Sequence, residues 1–360
     1  MKVSIVSPLN RKFAVKKSDV GISIILFRID SFVLRLQKIF FTGDYIMNLD
    51  FFAVASNLVS LFALIAVGYI AVKSGVLKSE ASGYFSAFLM KITLPCTIFI
   101  SLVQREYDPA FVHDSLIIII AGVIAFPLML YSARGLANVI GVPKGRRGVW
   151  AFLCAYSNSG FMGFPIALSL LGTEGLALSV MLNISFNITI YTLGAIEIIR
   201  DNPNHDAEGL NMKSIIFSNI NIAVVLSLLF YFGRLNLPSI AAVPINYLSA
   251  VTTPISMIII GMTLAHSKGI EVLTDVHAWT ATAMRLVIYP AAMCLILREF
   301  PLSSNNLVNA VMILINAMPG AGVTAVLCEM YHGDVDFAAR TMFLQNILCM
   351  ATIPVVCMML

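Results

Sequence analysis

Long apolar runs recur along the whole chain, and they constrain its fold more than any other feature. A helix needs about 20 such residues to cross a hydrocarbon core of roughly 30 Å. Only 12% of the 360 residues are charged, against roughly a quarter in soluble domains. Windows of about 19 residues predict spans near 51–72, 83–103, 114–138, 149–171, 176–199, 214–233, 243–265, 277–298, 304–329 and 337–360. The sequence therefore predicts an all-α polytopic membrane protein with ten transmembrane helices.

The chain divides into two similar halves. A polar connection at 201–213 separates a first five-helix repeat, 47–200, from a second, 214–360. Three prolines recur in the same order and at nearly constant separation: Pro95 with Pro254, Pro127 with Pro290, and Pro165 with Pro319. Because each half holds five spans, the second half enters from the opposite side of the membrane. This pattern predicts an inverted-topology repeat, which is typical of secondary transporters.

Basic residues set the orientation of the chain in the membrane. The loops after spans 1, 3, 5, 7 and 9 hold most of the Lys and Arg found beyond residue 46, so they are expected to be cytoplasmic. Both termini of the core then lie outside. Residues 1–46 carry eight basic and three acidic residues and contain no good span. This extension is either a start site assigned too early, with Met47 as the true start, or a basic amphipathic helix on the membrane surface.

Spans 4 and 9 carry residues that membrane helices disfavour. Span 4 reads "SNSGFMGFPIA" and contributes Asn158, Ser159, Gly160, Gly163 and Pro165, and span 9 contributes Asn316, Pro319, Gly320 and Thr324. Proline frees backbone carbonyls, and non-helical backbone within a membrane is tolerated only against protein or a wet cavity. The sequence predicts that helices 4 and 9 are broken and cross near the bilayer midplane. The broken ends would offer N–H groups to an anion and carbonyls to a cation.

Other polar residues within the spans are further candidates. Asn183 and Asn187 lie one helical turn apart in span 5 and either line the same site or hydrogen-bond to a neighbouring helix. Lys91 and Arg285 are basic residues inside spans, where they either bind substrate, pair with another charge or snorkel. Glu329 ends span 9 and is the candidate for coupling a proton or sodium ion, with an interfacial position as the alternative.

Several functional classes are excluded or disfavoured by motif. The six cysteines lack CxxC spacing and the five histidines form no ligand pair, so no metal site or cofactor is predicted. The chain has no nucleotide-binding P-loop, and no HExxH or GxSxG motif lies in a span. Neither ATP hydrolysis nor an intramembrane enzyme is expected, and no nucleic-acid partner is expected.

Several motifs resemble the auxin efflux carrier family, which includes bacterial malonate and malate permease-like proteins and the plant PIN carriers. They are "NSGFMGFP" in span 4, "TLPCTIF" in span 2, "TPISMIIIGMTLA" in span 7, "RLVIYP" in span 8 and "AMPGAGVTAVLCEMYHGD" in span 9. The resemblance covers essentially residues 47–360. The chain departs from the plant carriers in having a short central connection, which favours a bacterial permease and disfavours auxin as substrate.

The resemblance implies a fold of the bile-acid-symporter and sodium–proton-antiporter type. Spans 1, 2, 6 and 7 would form a scaffold, often dimeric, and spans 3–5 and 8–10 a moving transport unit. The implied function is elevator-type alternating-access transport of a small organic anion, a carboxylate such as malonate or malate, with possible proton or sodium coupling. The expected setting is a homodimer in the lipid of a bacterial cytoplasmic membrane. The alternatives are a sodium-coupled bile-acid-type symporter and a non-transporting membrane sensor on the same fold.

Overall fold

Helices make up the regular structure of the computed structural model, which describes residues 51–78, 80–201, 219–266 and 274–360. The predicted N-terminal extension, 1–46, and residues 202–213 of the central connection lie outside the described residues. The helices in these ranges are α1 (Phe51–Lys73), α2 (Ala81–Val103), α3 (Pro109–Ile140), α4 (Arg147–Ala155), α5 (Ser159–Ile199), α6 (Asn219–Phe232), α7 (Ser239–His266), α8 (Val276–Glu299), α9 (Asn306–Asn316), α10 (Val323–Met330) and α11 (Val335–Cys357).

Seven helical segments in the described ranges are long and apolar enough to cross a membrane. They are Ser56–Lys73 within α1, together with α2, α3, α5, α7, α8 and α11. Two shorter apolar helices, Asn219–Gly233 and Asn306–Asn316, lie in the predicted sixth and ninth spans. These findings support a multi-pass membrane protein, and the count of ten spans stays a prediction.

Helix α5 contains the second part of predicted span 4 and all of predicted span 5. Its 41 residues would extend about 60 Å as one straight helix, twice the thickness of a hydrocarbon core. Gly172 interrupts it with a left-handed φ of 69° and a non-helical ψ of −167°. This kink lies at the predicted boundary between the two spans.

Three of the predicted span prolines follow a wide helical turn. Turns of π-helix occupy Leu89–Thr93, Ser159–Gly163 and Met284–Ile288, and each ends two residues before a proline: Pro95, Pro165 and Pro290. A proline lacks the N–H of the normal ladder and clashes with the preceding turn. A π turn holds an extra residue, which gives the proline ring room without ending the helix.

Two short helices, α4 and α9, are the most completely buried. All residues from 148 to 155 of α4 and all residues from 308 to 316 of α9 are buried. A helix that is covered on every side belongs to the centre of a bundle. The core of the fold is therefore built around the segments that the sequence predicts to be broken.

Helices α1 and α7 pack with their backbones in direct contact. A Cβ atom built on Gly261 of α7 would overlap the carbonyl oxygen of Ile65 in α1, and one built on Gly68 of α1 would overlap that of Ile258 in α7. Small residues at such positions allow membrane helices to approach closely. This contact packs α1 and α7 closely against each other.

Gly261→Ala is expected to destabilise the protein by about 1–3 kcal/mol, because the added methyl group forces the two backbones apart. The matched control is Gly135→Ala in α3, where an added Cβ meets no atom within 4 Å. It should leave the thermal midpoint in detergent unchanged or raise it, because alanine favours the helix. Equal midpoints for the two variants would contradict the close approach of α1 and α7.

Candidate functional site

Two interrupted helices meet at their breaks. Helix α4 ends at Ala155 and α5 begins at Ser159, while α9 ends at Asn316 and α10 begins at Val323. The connecting segments, 156–158 and 317–322, run antiparallel to each other. Ser157 and Gly320 form an isolated antiparallel bridge. We call this meeting point the junction.

Backbone hydrogen bonds hold the junction together. The Asn158 N–H donates to the Pro319 carbonyl at 2.7 Å, and the Ala321 N–H donates to the Tyr156 carbonyl at 3.0 Å. The two bonds are a short piece of antiparallel β-ladder inside a helical bundle. They satisfy polar groups that the ends of the helices would otherwise leave without partners.

Gly320 allows the junction to close against α11. A Cβ atom on this residue would collide with the side chain of Gln345. The Gly320 N–H instead donates to Gln345 Oε1 at 2.7 Å, and Gln345 is fully buried. The glutamine thus stands in for a helical carbonyl at a place where the helix has stopped.

Two asparagines hydrogen-bond to the first turn of α5. Asn158 precedes the turn, and its Oδ1 accepts from the Phe161 N–H at 3.1 Å, as an N-cap residue does. The Ser159 hydroxyl contacts Asn183 Oδ1 at 2.9 Å, further along the same helix. With both carbonyl oxygens engaged, the two asparagines present their amide NH₂ groups as donors.

A cavity of about 80 Å³ lies beside the junction. Its lining comes from α2, α5, α6, α10 and the two connecting segments: Met90, Ser157, Asn158, Ser159, Gly160, Phe161, Phe164, Asn183, Phe186, Asn187, Tyr191, Ile220, Ala321, Gly322 and Val323. No charged side chain is among these lining residues. Polar amides and hydroxyls share the surface with four aromatic rings.

The structure brings one group of predicted site residues together around this cavity: Asn158, Ser159, Gly160, Asn183 and Asn187. A second group lies around the junction but not in the lining: Gly163, Pro165, Asn316, Pro319, Gly320 and Thr324. Within the second group, Pro319 contributes its carbonyl to the ladder, and the Thr324 hydroxyl donates to the Ala321 carbonyl. These residues shape the backbone that borders the cavity.

The three charged candidates lie outside the lining. The side chain of Lys91 is exposed although its neighbour Met90 lines the cavity, and Glu329 is exposed in the last turn of α10. Arg285 is fully buried in α8, and its guanidinium group donates to backbone carbonyls at the junction. A direct contact between any of these side chains and a ligand in the cavity is not part of this geometry.

Aromatic residues were missed by the reasoning from sequence. Phe161 and Phe164 belong to the "SNSGFMGFPIA" stretch itself, and Phe186 and Tyr191 lie within a helical turn of Asn187. Their spacing relative to the asparagines was the available signal. Met90 and Ile220 gave no such signal, because an apolar residue in a span is equally suited to the lipid or the core.

Asn187 connects the cavity to a different part of the bundle. Its Nδ2 donates to Asn221 Oδ1 of α6 at 2.9 Å. Asn187 therefore lies in the cavity lining and also makes an interhelical hydrogen bond; its role in a substrate site stays a prediction.

Comparisons with known proteins show that this chain is similar in sequence to transporters. A family model described as "Membrane transport protein" matches residues 53–357. An uncharacterized transporter of Methanothermobacter thermautotrophicus is 26% identical over 308 residues, which cover 84% of this chain and 97% of the relative. An uncharacterized transporter of Methanocaldococcus jannaschii is 26% identical over 299 residues, covering 79% and 91%. The range matched by the family model contains the junction and the whole cavity lining.

Gln345→Leu is expected to destabilise the protein by about 1–3 kcal/mol, because it leaves the buried Gly320 N–H without an acceptor. The control is Gln104→Leu, at an exposed position following α2. Thermal unfolding of both variants in detergent measures the difference. A Gln345→Leu midpoint equal to that of the control would show that the junction does not need this acceptor.

Proposed function

The chain belongs to the membrane transport protein family, and from that membership we propose that it is a secondary transporter of a small organic anion. The membership confirms the predicted resemblance to the auxin efflux carriers. The family and its relatives name neither a substrate nor a mechanism, so these are argued from the cavity. The observation that carries the proposal is a donor-rich cavity at the meeting point of two interrupted helices.

The chemistry of the cavity favours an anion. Asn158 and Asn183 have their carbonyl oxygens engaged by the protein, so they present N–H donors. The first turns of α5 and α10 border the cavity through Ser159, Gly160, Gly322 and Val323. Helix N-termini carry unpaired N–H groups and a partial positive charge, which stabilise a carboxylate.

The size of the cavity favours a small anion. A cavity of about 80 Å³ has room for more than a single water. It suits a small carboxylate such as malonate or malate. The aromatic lining suits the carbon skeleton of the anion while the amides bind its carboxylates.

The proposed mechanism is elevator-type alternating access. The scaffold would be α1, α2, α6 and α7, and the moving unit would be α3–α5 with α8–α11. In support, the cavity is shared by both groups: Met90 of α2 and Ile220 of α6 face residues of the junction and α5. The Asn187–Asn221 hydrogen bond crosses the same boundary, and movement of the unit would break it.

The proposed topology is ten spans in two inverted five-helix repeats with the core termini outside. Copies that enter from opposite sides would bring their breaks together antiparallel, and the two connecting segments pair in that way. Thr97 comes two residues after Pro95, and Thr252 comes two residues before the related Pro254. The hydroxyl oxygens of the two threonines lie 2.7 Å apart. The contact joins corresponding parts of the two halves.

Uptake into proteoliposomes tests the function. We expect labelled malonate and malate to accumulate faster than labelled auxin. Uptake is measured with and without an imposed proton gradient, and with and without an imposed sodium gradient. Stimulation by sodium would favour the bile-acid-type symporter alternative. Binding of an anion without flux would favour the sensor, and the absence of both binding and flux for every anion would refute the proposal.

Asn158→Ala is expected to lower anion uptake about tenfold or more, because a hydrogen bond to a charged group is worth roughly 1.5–3 kcal/mol. The control is Asn246→Ala in α7, whose side chain donates to the Ala242 carbonyl away from the cavity. Uptake should be normalised to the amount of folded protein in the vesicles, because Asn158→Ala also removes a helix cap.

Asn158→Asp separates binding from capping. The carboxylate keeps an oxygen for the Phe161 N–H and stabilises the helix start, but it loses the amide donors and repels an anion. We expect near-normal folding with uptake abolished. Unchanged uptake in Asn158→Asp would exclude this side chain from the anion site.

A further inference from the structure

Arg285 is a buried cation that is bound entirely by backbone. The residue is 0% exposed and lies in the π turn Met284–Ile288 of α8. Its Nε donates to the Met318 carbonyl at 2.9 Å, and Nη1 donates to the carbonyls of Ala155 and Cys154 at 3.0 and 3.1 Å. Nη2 donates to the Asn316 carbonyl at 2.5 Å. Among the described residues, no carboxylate lies within ion-pair distance of this guanidinium.

These four carbonyls belong to the ends of two helices. Cys154 and Ala155 are the last residues of α4, Asn316 is the last residue of α9, and Met318 lies just beyond it. The last carbonyls of a helix have no partner within it and carry a partial negative charge. Two helices that point these ends at one place create a strongly negative, buried environment.

Such an environment favours a cation. Clusters of backbone carbonyls bind desolvated monovalent cations in channels and in the unwound helices of transporters. Here a guanidinium occupies the cluster, and its fixed fork of donors reaches carbonyls from both helices at once. Its charge is stabilised by hydrogen bonds and helix dipoles instead of by a carboxylate.

We propose that Arg285 is a tethered replacement for a monovalent metal cation at the junction. It is a positioning residue: it acts on the cavity through the backbone, since Ala155 is followed closely by Ser157 and Met318 by Ala321, and both Ser157 and Ala321 line the cavity. The junction therefore assembles without bound sodium or potassium. This inference rests on the proposed function and extends it: transport of the anion needs neither sodium nor potassium at the junction.

Wild-type protein provides the first test. Its thermal midpoint in detergent should be the same in sodium, potassium and N-methylglucamine chloride at equal ionic strength. A midpoint raised specifically by sodium or by potassium would overturn the proposal, because it would reveal a metal ion bound to the folded state.

Arg285→Ala provides the second test. In N-methylglucamine chloride its midpoint should fall by several degrees more than that of Arg298→Ala, an exposed arginine near the end of the same helix. Millimolar guanidinium, or sodium or potassium, should restore part of the loss in Arg285→Ala and none in Arg298→Ala. Equal midpoints for the two variants, or no response of Arg285→Ala to any of the three cations, would overturn the proposal.

Arg285→Lys keeps the inference testable if the alanine variant does not fold. Lysine retains the charge but cannot reach four carbonyls with a planar fork, so its midpoint should be lower than that of the wild type and should rise with millimolar guanidinium. A lysine variant as stable as the wild type, or one that guanidinium leaves unchanged, would overturn the proposal.

The thermal tests separate this inference from the transport proposal. They need no substrate, so a failure of anion uptake with the expected cation responses would refute the transport function alone. Uptake of anions by a protein whose wild-type form is specifically stabilised by sodium would refute the role of Arg285 alone.

Discussion

Polar backbone groups buried away from water need hydrogen-bond partners, and the whole centre of this protein depends on how that need is met. Breaking α4–α5 and α9–α10 frees N–H groups and carbonyls in the best-covered part of the bundle. The two connecting segments satisfy some of these groups by hydrogen-bonding to each other through the N–H groups of Asn158 and Ala321. Gln345 supplies a further acceptor from α11. Each interruption is therefore stabilised by the other.

The junction also separates charge. The C-terminal ends of α4 and α9 meet the guanidinium of Arg285, while the N-terminal ends of α5 and α10 border the cavity. On the side of α4 and α9, the helix-end carbonyls accept hydrogen bonds from the Arg285 side chain. On the side of α5 and α10, N–H groups face the cavity where an anion is proposed to bind. An unbroken helix crossing the bundle could offer neither set at this depth, because its internal groups are paired with one another.

Much of this arrangement could be predicted from sequence because it depends on residues that helices disfavour. Gly160, Gly163 and Pro165 beside Asn158 mark a break, and the related stretch at Pro319 marks its partner. The recurrence of prolines in both halves predicted that the two breaks would meet. The antiparallel bridge is consistent with that expectation.

The partners of Arg285 could not be predicted in the same way. A basic residue in a span signals that something compensates it, and carboxylates or the substrate are the usual candidates. Here the partners are main-chain carbonyls, which every residue has, so no residue type in the sequence points to them. They come from segments about 130 and about 30 positions away in the chain and are defined only by the way helices α4, α8 and α9 pack. The aromatic residues of the cavity were equally hard to predict, because the position of α5 in the bundle determines which rings line the cavity.

The absence of charged side chains from the cavity lining has a consequence for kinetics. A lysine or arginine within the pocket would hold a carboxylate tightly, and a tightly held ligand leaves slowly, because residence time grows with affinity. Neutral amides and helix ends bind a carboxylate more weakly than a full positive charge does. A transporter has to release each ligand that it binds, and a cavity without an ion-pair partner favours that release.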